Sequence, residues 1–426
     1  MRGITTLIRG MLVAAVLVLG SRAAHGQADY PFRDNDVVVF LGDSNTAGAG
    51  FAKTLELYTL LRYPARDVKF YNAGIGGDTA TGGAARMQRD VFDHDATVVV
   101  VTFGINDILW GAYADAAHRQ AFLDGIRDIV IACRDRAHLV RVILNSYPLT
   151  NGSVGQTEPN PTQQYLQAMS LDAFALATSL APTLVQTNDV FSVMWDVFLN
   201  GRKTNPIWGD RPAIGGADGV HLSDFGHKLW AYAMLKNFGL SPIVSSITLG
   251  AAPPRSLATT NATVASLSGN ATNFSFTRKD TALPINFGGF QAGTLLLWIN
   301  FSSDLNQYVL KVTELATGNY AVDVEGRTLG TWSSTQLAAG LNLGPDVFDP
   351  WWPSTPWGGK SLALTGMTEA RHELQVDGGL AQSFLGADPN ANTIASQLNT
   401  INQRMIAVQR DVAQPYAMHF TVRKVP

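Results

Sequence analysis

Four short segments of the chain carry residues that could together perform acyl transfer. Ser44 offers a hydroxyl nucleophile, and His221 offers a base with Asp218 three residues before it. Gly77 and Asn106 offer a backbone N–H and a side-chain amide that could stabilise an oxyanion. A serine hydroxyl attacks a carbonyl carbon well only when a base removes its proton, and a carboxylate can fix the tautomer of that base. These residue types therefore indicate a serine-dependent acyl-transfer site.

Each segment also has a purely structural interpretation. Ser44 could cap the helix that follows it, and Asp218 with His221 could be a polar cluster at a helix start capped by Ser223. The glycine-rich segment could form an ordinary turn, and Asn106 could form an Asx turn. Because all four segments occur in the order that the chemistry needs, their combination favours the catalytic interpretation.

The elements around these segments alternate between strand and helix from residue 36 to about residue 238. Short β-branched runs predict strands buried on both faces, as in a parallel sheet, and the alternation predicts a three-layer α/β/α fold. Ligands bind outside the carboxyl ends of such strands, where three of the four segments begin. The predicted strands are 37–41, 68–71, 97–103, 140–146 and 184–187, and the predicted helices are 52–62, 80–92, 118–137, 162–180 and 224–238.

The composition changes after Leu240. Residues 246–272 are rich in Ala, Ser, Thr and Gly and predict a linker, whereas residues 273–426 predict a β-rich C-terminal module with a helical segment. The catalytic domain is therefore expected at residues 30–245. The module's predicted strands are 273–277, 294–300, 308–313, 320–324, 328–332 and 418–422, with a hairpin turn at Glu325–Gly326 and a helix at 393–413.

The composition excludes several classes of protein. The chain has 426 residues, of which 46% are hydrophobic and 15% charged, and a net charge of −3. These values describe a globular protein without the basic clusters that bind nucleic acid or anionic membranes. Cys133 is the only cysteine, so no internal disulfide can form. Because no zinc-type spacing or calcium-binding loop occurs, neither a metal nor another cofactor is expected.

The N-terminus predicts a secretory signal peptide at residues 1–26. Arg2 and Arg9 precede the apolar run 11–19, and small residues after it lead to an expected cut near Gly26. The run is about half of the ~20 residues that a membrane span needs. A secreted or periplasmic protein without stable membrane insertion is therefore expected, with an uncleaved anchor as the alternative.

The four segments together resemble the SGNH (GDSL-type) hydrolases, whose sequence blocks centre on Ser, Gly, Asn and His. The resemblance covers residues 37 to 238 and implies the flavodoxin-like fold of that family. It also implies a catalytic triad of Ser44, His221 and Asp218, and an oxyanion hole formed by Ser44, Gly77 and Asn106.

Local details support the resemblance, and one position departs from it. The stretch Gly77-Asp78-Thr79 and the following Ala84-Ala85-Arg86 match the family, although Gly76 could replace Gly77 as the donor. Asn45 stands where the name Gly-Asp-Ser-Leu has an apolar residue. The C-terminal region between residues 318 and 343 is similar to an extension of some bacterial secreted members, with no function to transfer.

The resemblance implies a secreted serine esterase that hydrolyses carboxylic esters, with acetyl groups on a carbohydrate as the expected substrate. A lipid or aryl esterase, a lysophospholipase or an acyltransferase would use the same residues. A non-catalytic glycan-binding or surface-assembly protein on a hydrolase scaffold is the alternative from another class. The expected partner is a small-molecule or glycan ester, and the sequence does not define the oligomeric state.

Several tryptophans are candidate walls of a substrate pocket. Trp110 follows Asn106 by four residues, and Trp195 and Trp208 precede Asp218. Aromatic faces suit sugar rings and acyl chains, but ordinary packing is the alternative for all three. In the C-terminal module, a cluster at Trp351, Trp352 and Trp357 predicts either a carbohydrate platform or a packed wedge between domains, and we favour the wedge.

Overall fold

The computed structural model describes residues 30–426, apart from residues 153–155, 202–203, 206–208, 211–212, 287–294, 297, 345–353, 385 and 387. The predicted signal peptide at residues 1–26 lies outside the described residues, and so do Trp208, Trp351 and Trp352.

A parallel sheet of five strands forms the centre of the N-terminal half. The strands are β1 (Val37–Gly42), β2 (Lys69–Gly74), β3 (Val98–Thr102), β4 (Arg141–Asn145) and β5 (Val185–Asn188). Their order across the sheet is β2–β1–β3–β4–β5. All residues of β3 are buried, as expected for a strand covered on both faces. The predicted parallel sheet is therefore confirmed.

Helices cover both faces of this sheet and create two cores. Val38 and Phe40 of β1 lie in one core, and Val39 and Leu41 lie in the other, because successive side chains of a strand point to opposite faces. The three-layer α/β/α arrangement is confirmed. The helices are α1 (Ser44–Ala47), α2 (Gly50–Arg62), α3 (Ala80–Ala85), α4 (Met87–Asp90), α5 (Ala116–Arg134), α6 (Pro161–Leu180), α7 (Val190–Asn200) and α8 (Asp224–Asn237).

The carboxyl ends of β1, β2 and β3 meet at one edge of the sheet. Gly42 at the end of β1 pairs with Gly74 of β2 and with Thr102 of β3. A Cβ atom on Gly42 would lie 2.6 Å from the Thr102 carbonyl oxygen, and one on Gly74 would lie 2.1 Å from the Ala47 nitrogen. Glycine at these two positions thus allows α1 to sit directly on the strand ends.

The C-terminal half contains two further sheets. Its strands, after the short pair β6 (Thr204–Asn205) and β7 (Gly209–Asp210), are β8 (Ile243–Ala251), β9 (Pro254–Thr260), β10 (Ala262–Gly269), β11 (Asn273–Asp280), β12 (Gln307–Thr313), β13 (Asn319–Val324), β14 (Arg327–Ser333), β15 (Leu341–Asn342) and β16 (Met418–Val425). One sheet has the order β10–β11–β16–β13–β14, and the other has the order β15–β12–β8–β9. The β-rich extension is therefore confirmed. Its helices are α9 (Phe301–Asp304), α10 (Ser334–Ala339), α11 (Pro356–Phe384) and α12 (Ala391–Ala413).

The linker predicted at residues 246–272 is wrong. Most of this stretch forms β8, β9 and β10. β9 and β10 are edge strands whose side chains are mostly exposed, so they lack the apolar alternation that identifies a half-buried strand. The limits 30–245 and 273–426 stay predictions, because one hydrophobic core joins residues on both sides of them.

Three further predictions for the C-terminal half concern a strand, a hairpin turn and a tryptophan cluster. The strand predicted at 294–300 is wrong for its described residues, which form a helical turn and bends. The predicted hairpin turn is present, with Glu325 and Gly326 at φ values of 48° and 77°. Trp357 is 1% exposed and packs 4.8 Å from the ring centroid of Tyr308, so it is part of the core and not a platform.

The C-terminal helices pack on α2 of the N-terminal half through a buried polar cluster. Glu56 of α2 contacts Arg371 and His372 of α11, and its Oε1 atom accepts a hydrogen bond of 3.2 Å from Gln409 of α12. Burial opposes ionisation of Glu56, but the charge of Arg371 lowers its pKa overall. The two halves are therefore joined by charge pairing as well as by apolar packing.

Among the described residues, the helices are all too short or too polar to cross a lipid bilayer. Cys133 is a fully buried residue of α5, and burial raises the pKa of its thiol to about 12. The thiol is thus a packing group.

Candidate active site

Ser44 is the first residue of α1, directly after the strand β1 and the turn at Asp43. The helix cap is Asp43 and not Ser44, because the Asp43 Oδ1 atom accepts a hydrogen bond of 2.9 Å from the Asn45 N–H. The Ser44 hydroxyl is therefore free of the capping role that was its structural alternative. It contacts the imidazole of His221 instead, with 3.0 Å between Oγ and Nε2.

His221 and Asp218 form the second part of the relay. The Asp218 Oδ2 atom lies 2.7 Å from Nδ1 of His221, while Oδ1 accepts the backbone N–H groups of Val220 at 2.9 Å and His221 at 3.0 Å. Gly219 makes this tight turn with a φ of 67°. Ser223 does cap α8, as the structural alternative required, but the other two side chains take no part in that cap.

The hydrogen bonds define the tautomer of the base. The hydrogen bond from His221 makes the largest contribution to lowering the pKa of Asp218, and the bonds from the two backbone N–H groups lower it further. The carboxylate is therefore ionised and can only accept hydrogen bonds. Nδ1 must therefore carry the proton, and Nε2 is left to accept the Ser44 hydroxyl proton. The arrangement can remove a proton from Ser44 and return it to a leaving group.

Asn106 and Gly77 lie on the loops after β3 and β2, next to the loop that carries Ser44. The Asn106 amide is fixed at both ends, because Nδ2 donates to the Asp78 carbonyl at 3.0 Å and Oδ1 accepts from the Trp110 indole at 2.9 Å. The second Nδ2 hydrogen remains for a ligand. Gly77 has a φ of 76°, and a Cβ atom there would meet nothing within 4 Å. A small ligand therefore has room beside this residue.

Arg86 ties these loops together, a role that the sequence did not reveal. Its guanidinium donates to Asp78 Oδ2 at 2.7 Å, to the Ala73 carbonyl at 2.6 Å and to the Gly42 carbonyl at 3.0 Å. Because its side chain is only 9% exposed, these contacts are little screened by water. The signal that could have found it is its place in the Ala84-Ala85-Arg86 block.

Two buried acids, Asp43 and Asp107, form hydrogen bonds with residues of the elements that carry the site. Asp43 accepts a hydrogen bond of 2.9 Å from the Tyr147 hydroxyl, and burial raises its pKa to about 6. Asp107 accepts the Ala80 N–H at 3.0 Å at the start of α3, and burial raises its pKa to about 7. Tyr147 lies after β4, too far along the chain for the sequence to connect it with Asp43.

The structure separates the three tryptophans that were candidate pocket walls. Trp110 is 60% exposed beside Asn106, with a left-handed φ of 58°. Trp195 is half-buried on α7 and stacks on Phe198 at 5.0 Å, which fits ordinary packing. Trp208 lies outside the described residues. Trp110 thus remains as a candidate wall. Ile75 on the loop after β2, and Leu109 and Tyr113 on the loop after β3, are further exposed apolar residues.

Within the described residues, no group of three or more His, Cys, Asp or Glu side chains is arranged to hold a metal ion.

Comparisons with known proteins find similarities in sequence and in fold. Residues 40–229 match the model of the GDSL-like lipase/acylhydrolase family. Among solved structures, a gut microbial diltiazem-metabolizing enzyme, BT4096, is 20% identical with a TM-score of 0.77, over 94% of this chain and 100% of that chain. The acetylxylan esterase Axe2 of Geobacillus stearothermophilus is 20% identical with a TM-score of 0.39, over 49% of this chain and 97% of that one.

A curated relative matches a smaller part of the chain. The uncharacterized lipoprotein YqeF of Bacillus subtilis (strain 168) is 37% identical over 78 residues, which are 17% of this chain. The chain covers 32% of the length of that lipoprotein. The similarity to the diltiazem-metabolizing enzyme covers 94% of this chain and therefore extends over both halves. The two proteins share their fold over this length.

Proposed function

We propose that the chain, whose residues 40–229 match the GDSL-like lipase/acylhydrolase family, is a serine esterase that acts through Ser44, His221 and Asp218. The observation that carries the proposal is the continuous relay from Asp218 Oδ2 to His221 Nδ1 at 2.7 Å and from His221 Nε2 to Ser44 Oγ at 3.0 Å. These distances lie within the range for proton transfer between a nucleophile and its base.

In the proposed reaction, the Ser44 oxygen attacks the ester carbonyl carbon while His221 Nε2 takes the hydroxyl proton. The negative charge that develops on the carbonyl oxygen is stabilised by the N–H groups of Ser44 and Gly77 and by the Asn106 amide. The bond to the alcohol breaks, and His221 gives its proton to the leaving oxygen. Water then attacks the acyl-enzyme in the same way, and the acid and free Ser44 are released.

The exposure of the site supports an ester on a large alcohol, such as an acetylated glycan. The side chains of His221 and Asp218 are 48% and 46% exposed. A bulky alcohol can approach an open site of this kind, whereas a long acyl chain needs a buried apolar pocket. We therefore propose a short acyl group, such as acetyl, whose carbonyl oxygen lies in the oxyanion hole, and we place the alcohol on the exposed face of Trp110.

One observation favours the second candidate, an aryl or lipid esterase. Ile75, Leu109, Trp110 and Tyr113 are between 41% and 60% exposed on the loops that follow β2 and β3. Such apolar groups would pack equally well on an aromatic or lipid alcohol. Transfer of the acyl group to a sugar acceptor in place of water would use the same catalytic residues.

The role of Ser44 is tested by Ser44→Ala, with the exposed Ser396→Ala as the matched control. Removing the nucleophile should lower kcat on p-nitrophenyl acetate on the order of 10⁶-fold, because the remaining triad residues cannot form the acyl-enzyme. The control should keep full activity. Labelling by a fluorophosphonate probe should be lost in Ser44→Ala alone, and a variant that keeps wild-type turnover would contradict the proposal. An unlabelled but folded wild-type protein would favour the non-catalytic scaffold.

The substrate class is tested with a panel of esters. We expect kcat/KM to fall from p-nitrophenyl acetate to palmitate, and we expect acetate release from acetylated xylan or acetylated sialic acid. Diltiazem belongs in the panel because of the name of the structurally similar enzyme. Preference for long acyl chains would favour the lipid esterase.

We also propose that the protein is exported, on the basis of the predicted signal peptide at residues 1–26. Fractionation of expressing bacterial cells, followed by N-terminal sequencing of the mature protein, tests this proposal. We expect a new N-terminus near Gly26 in the periplasm or medium. A protein that stays in the cytoplasm with Met1 intact would contradict it.

A further inference from the structure

Asn45 directly follows the nucleophile and is the position at which the chain departs from the Gly-Asp-Ser-Leu pattern. Its side chain is not directed to solvent, since the residue is 2% exposed. A buried amide must find partners for its donors and its acceptor, or it destabilises the fold. The identity of those partners therefore indicates what Asn45 does.

The partners of Asn45 lie on both sides of the catalytic base. Its Nδ2 group donates to the Val220 carbonyl at 3.0 Å, and its Oδ1 atom accepts from the Leu222 N–H at 2.9 Å. Val220 and Leu222 are the two residues that flank His221. One side chain on the nucleophile helix thus holds the backbone immediately before and immediately after the base.

The amide is itself held in place by Tyr147. Nδ2 of Asn45 donates to the Tyr147 hydroxyl at 2.9 Å, and that hydroxyl donates in turn to Asp43 Oδ2 at 2.9 Å. Asp43 also caps the helix that begins at Ser44. The orientation of the Asn45 amide is therefore coupled to the same turn that presents the nucleophile.

The side chain of the base is itself only partly packed, although the neighbouring Val220 is buried in the core. The His221 side chain is nearly half exposed, and its partner Asp218 belongs to the same loop and would move with it. Thr150 braces the loop through a hydrogen bond of 2.9 Å to the Gly219 carbonyl, but Thr150 lies after β4 and not on the nucleophile helix. Asn45 links the loop of the base directly to the element that carries Ser44.

We propose that Asn45 is a positioning residue that sets the contact between Ser44 and His221. This inference rests on the proposed serine-esterase function. Leucine at this position would have a similar volume, but it would leave the Val220 carbonyl and the Leu222 N–H without these partners. The base loop would then be free to shift, and a displacement of about 1 Å between reacting groups can lower turnover about 10²-fold.

The test compares Asn45→Leu with Asn306→Leu, its matched control in the C-terminal half. Asn306 is also 2% exposed, and it donates to the Ile285 carbonyl and accepts the Ile285 N–H, each at 2.9 Å. Both variants lose a buried amide that forms hydrogen bonds with backbone groups, but only Asn45 forms them with the residues on either side of the base. We expect Asn45→Leu to lower kcat about 10²-fold with little change in KM, and Asn306→Leu to leave kcat unchanged.

Asn45→Asp provides a second variant if the leucine variant does not fold. Aspartate keeps an acceptor for the Leu222 N–H but puts a carboxylate oxygen against the Val220 carbonyl, so kcat should fall at least as far as in Asn45→Leu. The low-field proton resonance of the His221–Asp218 hydrogen bond, measured by NMR, should persist in Asn306→Leu and shift or broaden in the Asn45 variants. This signal reports on the relay itself and would not respond to a general loss of stability.

The outcomes separate this inference from the function on which it rests. If Ser44→Ala is inactive while Asn45→Leu and Asn45→Asp keep wild-type kcat, the positioning role is wrong and the esterase remains. If Ser44→Ala keeps wild-type activity, the proposed function itself fails. Equal losses of kcat in Asn45→Leu and Asn306→Leu would also overturn the positioning role, because both would then act through stability.

Discussion

The carboxyl groups around Ser44 differ in what surrounds them, and the difference separates their roles. Asp218 is close to half exposed and receives three hydrogen bonds, which lower its pKa. Asp43 and Asp107 are buried beneath the loops, and their pKa values are raised to about 6 and about 7. The exposed carboxylate can stabilise a charged imidazole, whereas the buried acids hold backbone.

At the residue scale, Asp107 should make stability depend on pH. Its folded pKa is about 7, above the ~3.9 of an unfolded aspartate. The folded state therefore holds a proton that the unfolded state releases, and stability should fall as pH rises from about 4 to 7. Asp107→Asn keeps an acceptor for the Ala80 N–H without the charge. The gain in free energy of unfolding of this variant over wild type should therefore be about 3 kcal/mol larger at pH 8 than at pH 5.

The measurement is urea unfolding of both proteins at the two pH values. The exposed Asp93→Asn is the control, since its carboxyl group faces solvent in both states, and it should follow the pH slope of wild type. Parallel slopes for Asp107→Asn and wild type would show that burial of this carboxyl group does not control the pH dependence.

At the scale of elements, the position of the loop that carries Gly77 depends on how closely α3 approaches α5. Gly125 of α5 faces the start of α3, where a Cβ atom would lie 2.5 Å from the Ala80 carbonyl carbon and from the Thr81 nitrogen. These are backbone atoms, so they cannot rotate away as a flexible side chain could. The loop with Gly77 and Asp78 leads directly into α3 and would move with it.

Gly125→Ala should therefore destabilise the protein and lower its turnover. Overpacking typically costs about 1–3 kcal/mol, which exceeds the ~1 kcal/mol that alanine gains over glycine in a helix. Gly359→Ala on α11 is the matched control, because a Cβ atom there meets nothing within 4 Å. The free energy of unfolding, measured with denaturant, and kcat should both fall for Gly125→Ala and not for Gly359→Ala. Equal stability of the two variants would refute the close-packing argument.

At the scale of the whole molecule, the C-terminal half is joined to the catalytic half by a shared interior. Phe40 of the central sheet and Phe420 of β16 belong to the same hydrophobic core. Arg371 reaches from α11 to Glu56 of α2 and is 1% exposed. The extension therefore supports the helix that directly follows the nucleophile turn.

Arg371→Met should destabilise the protein by about 3 kcal/mol, because it leaves the Glu56 carboxylate buried without its main counter-charge. The double variant Arg371→Met with Glu56→Gln should regain part of that loss, since neither charge then remains. Arg423→Met is the surface control, whose partially exposed pair with Asp323 should contribute about 1 kcal/mol or less. Equal effects of the two single variants on denaturant unfolding would contradict a buried charge cluster between the halves.

The sequence predicted the elements whose apolar pattern is strong and missed those whose pattern is weak. β1 and β3 were recognised because they are short β-branched runs, buried on both faces. The helix α7 was missed because apolar residues occur around most of its surface, although Asp189 as its N-cap could have signalled it. The helix α11 was missed because its glycines and threonines have low helical propensity, and packing on α2 and α12 compensates for that.

The sequence by itself determined the kinds of groups in the site and the strand ends that carry them, because local periodicity and turn residues are encoded over a few neighbouring positions. Only the tertiary structure decided that Ser44 meets His221, that Asn45 holds both sides of that base, and that Glu56 meets Arg371. These contacts join residues 177, 175 and 315 positions apart. No local pattern specifies such pairs, since they form only when the two cores pack and bring the loops and helices together.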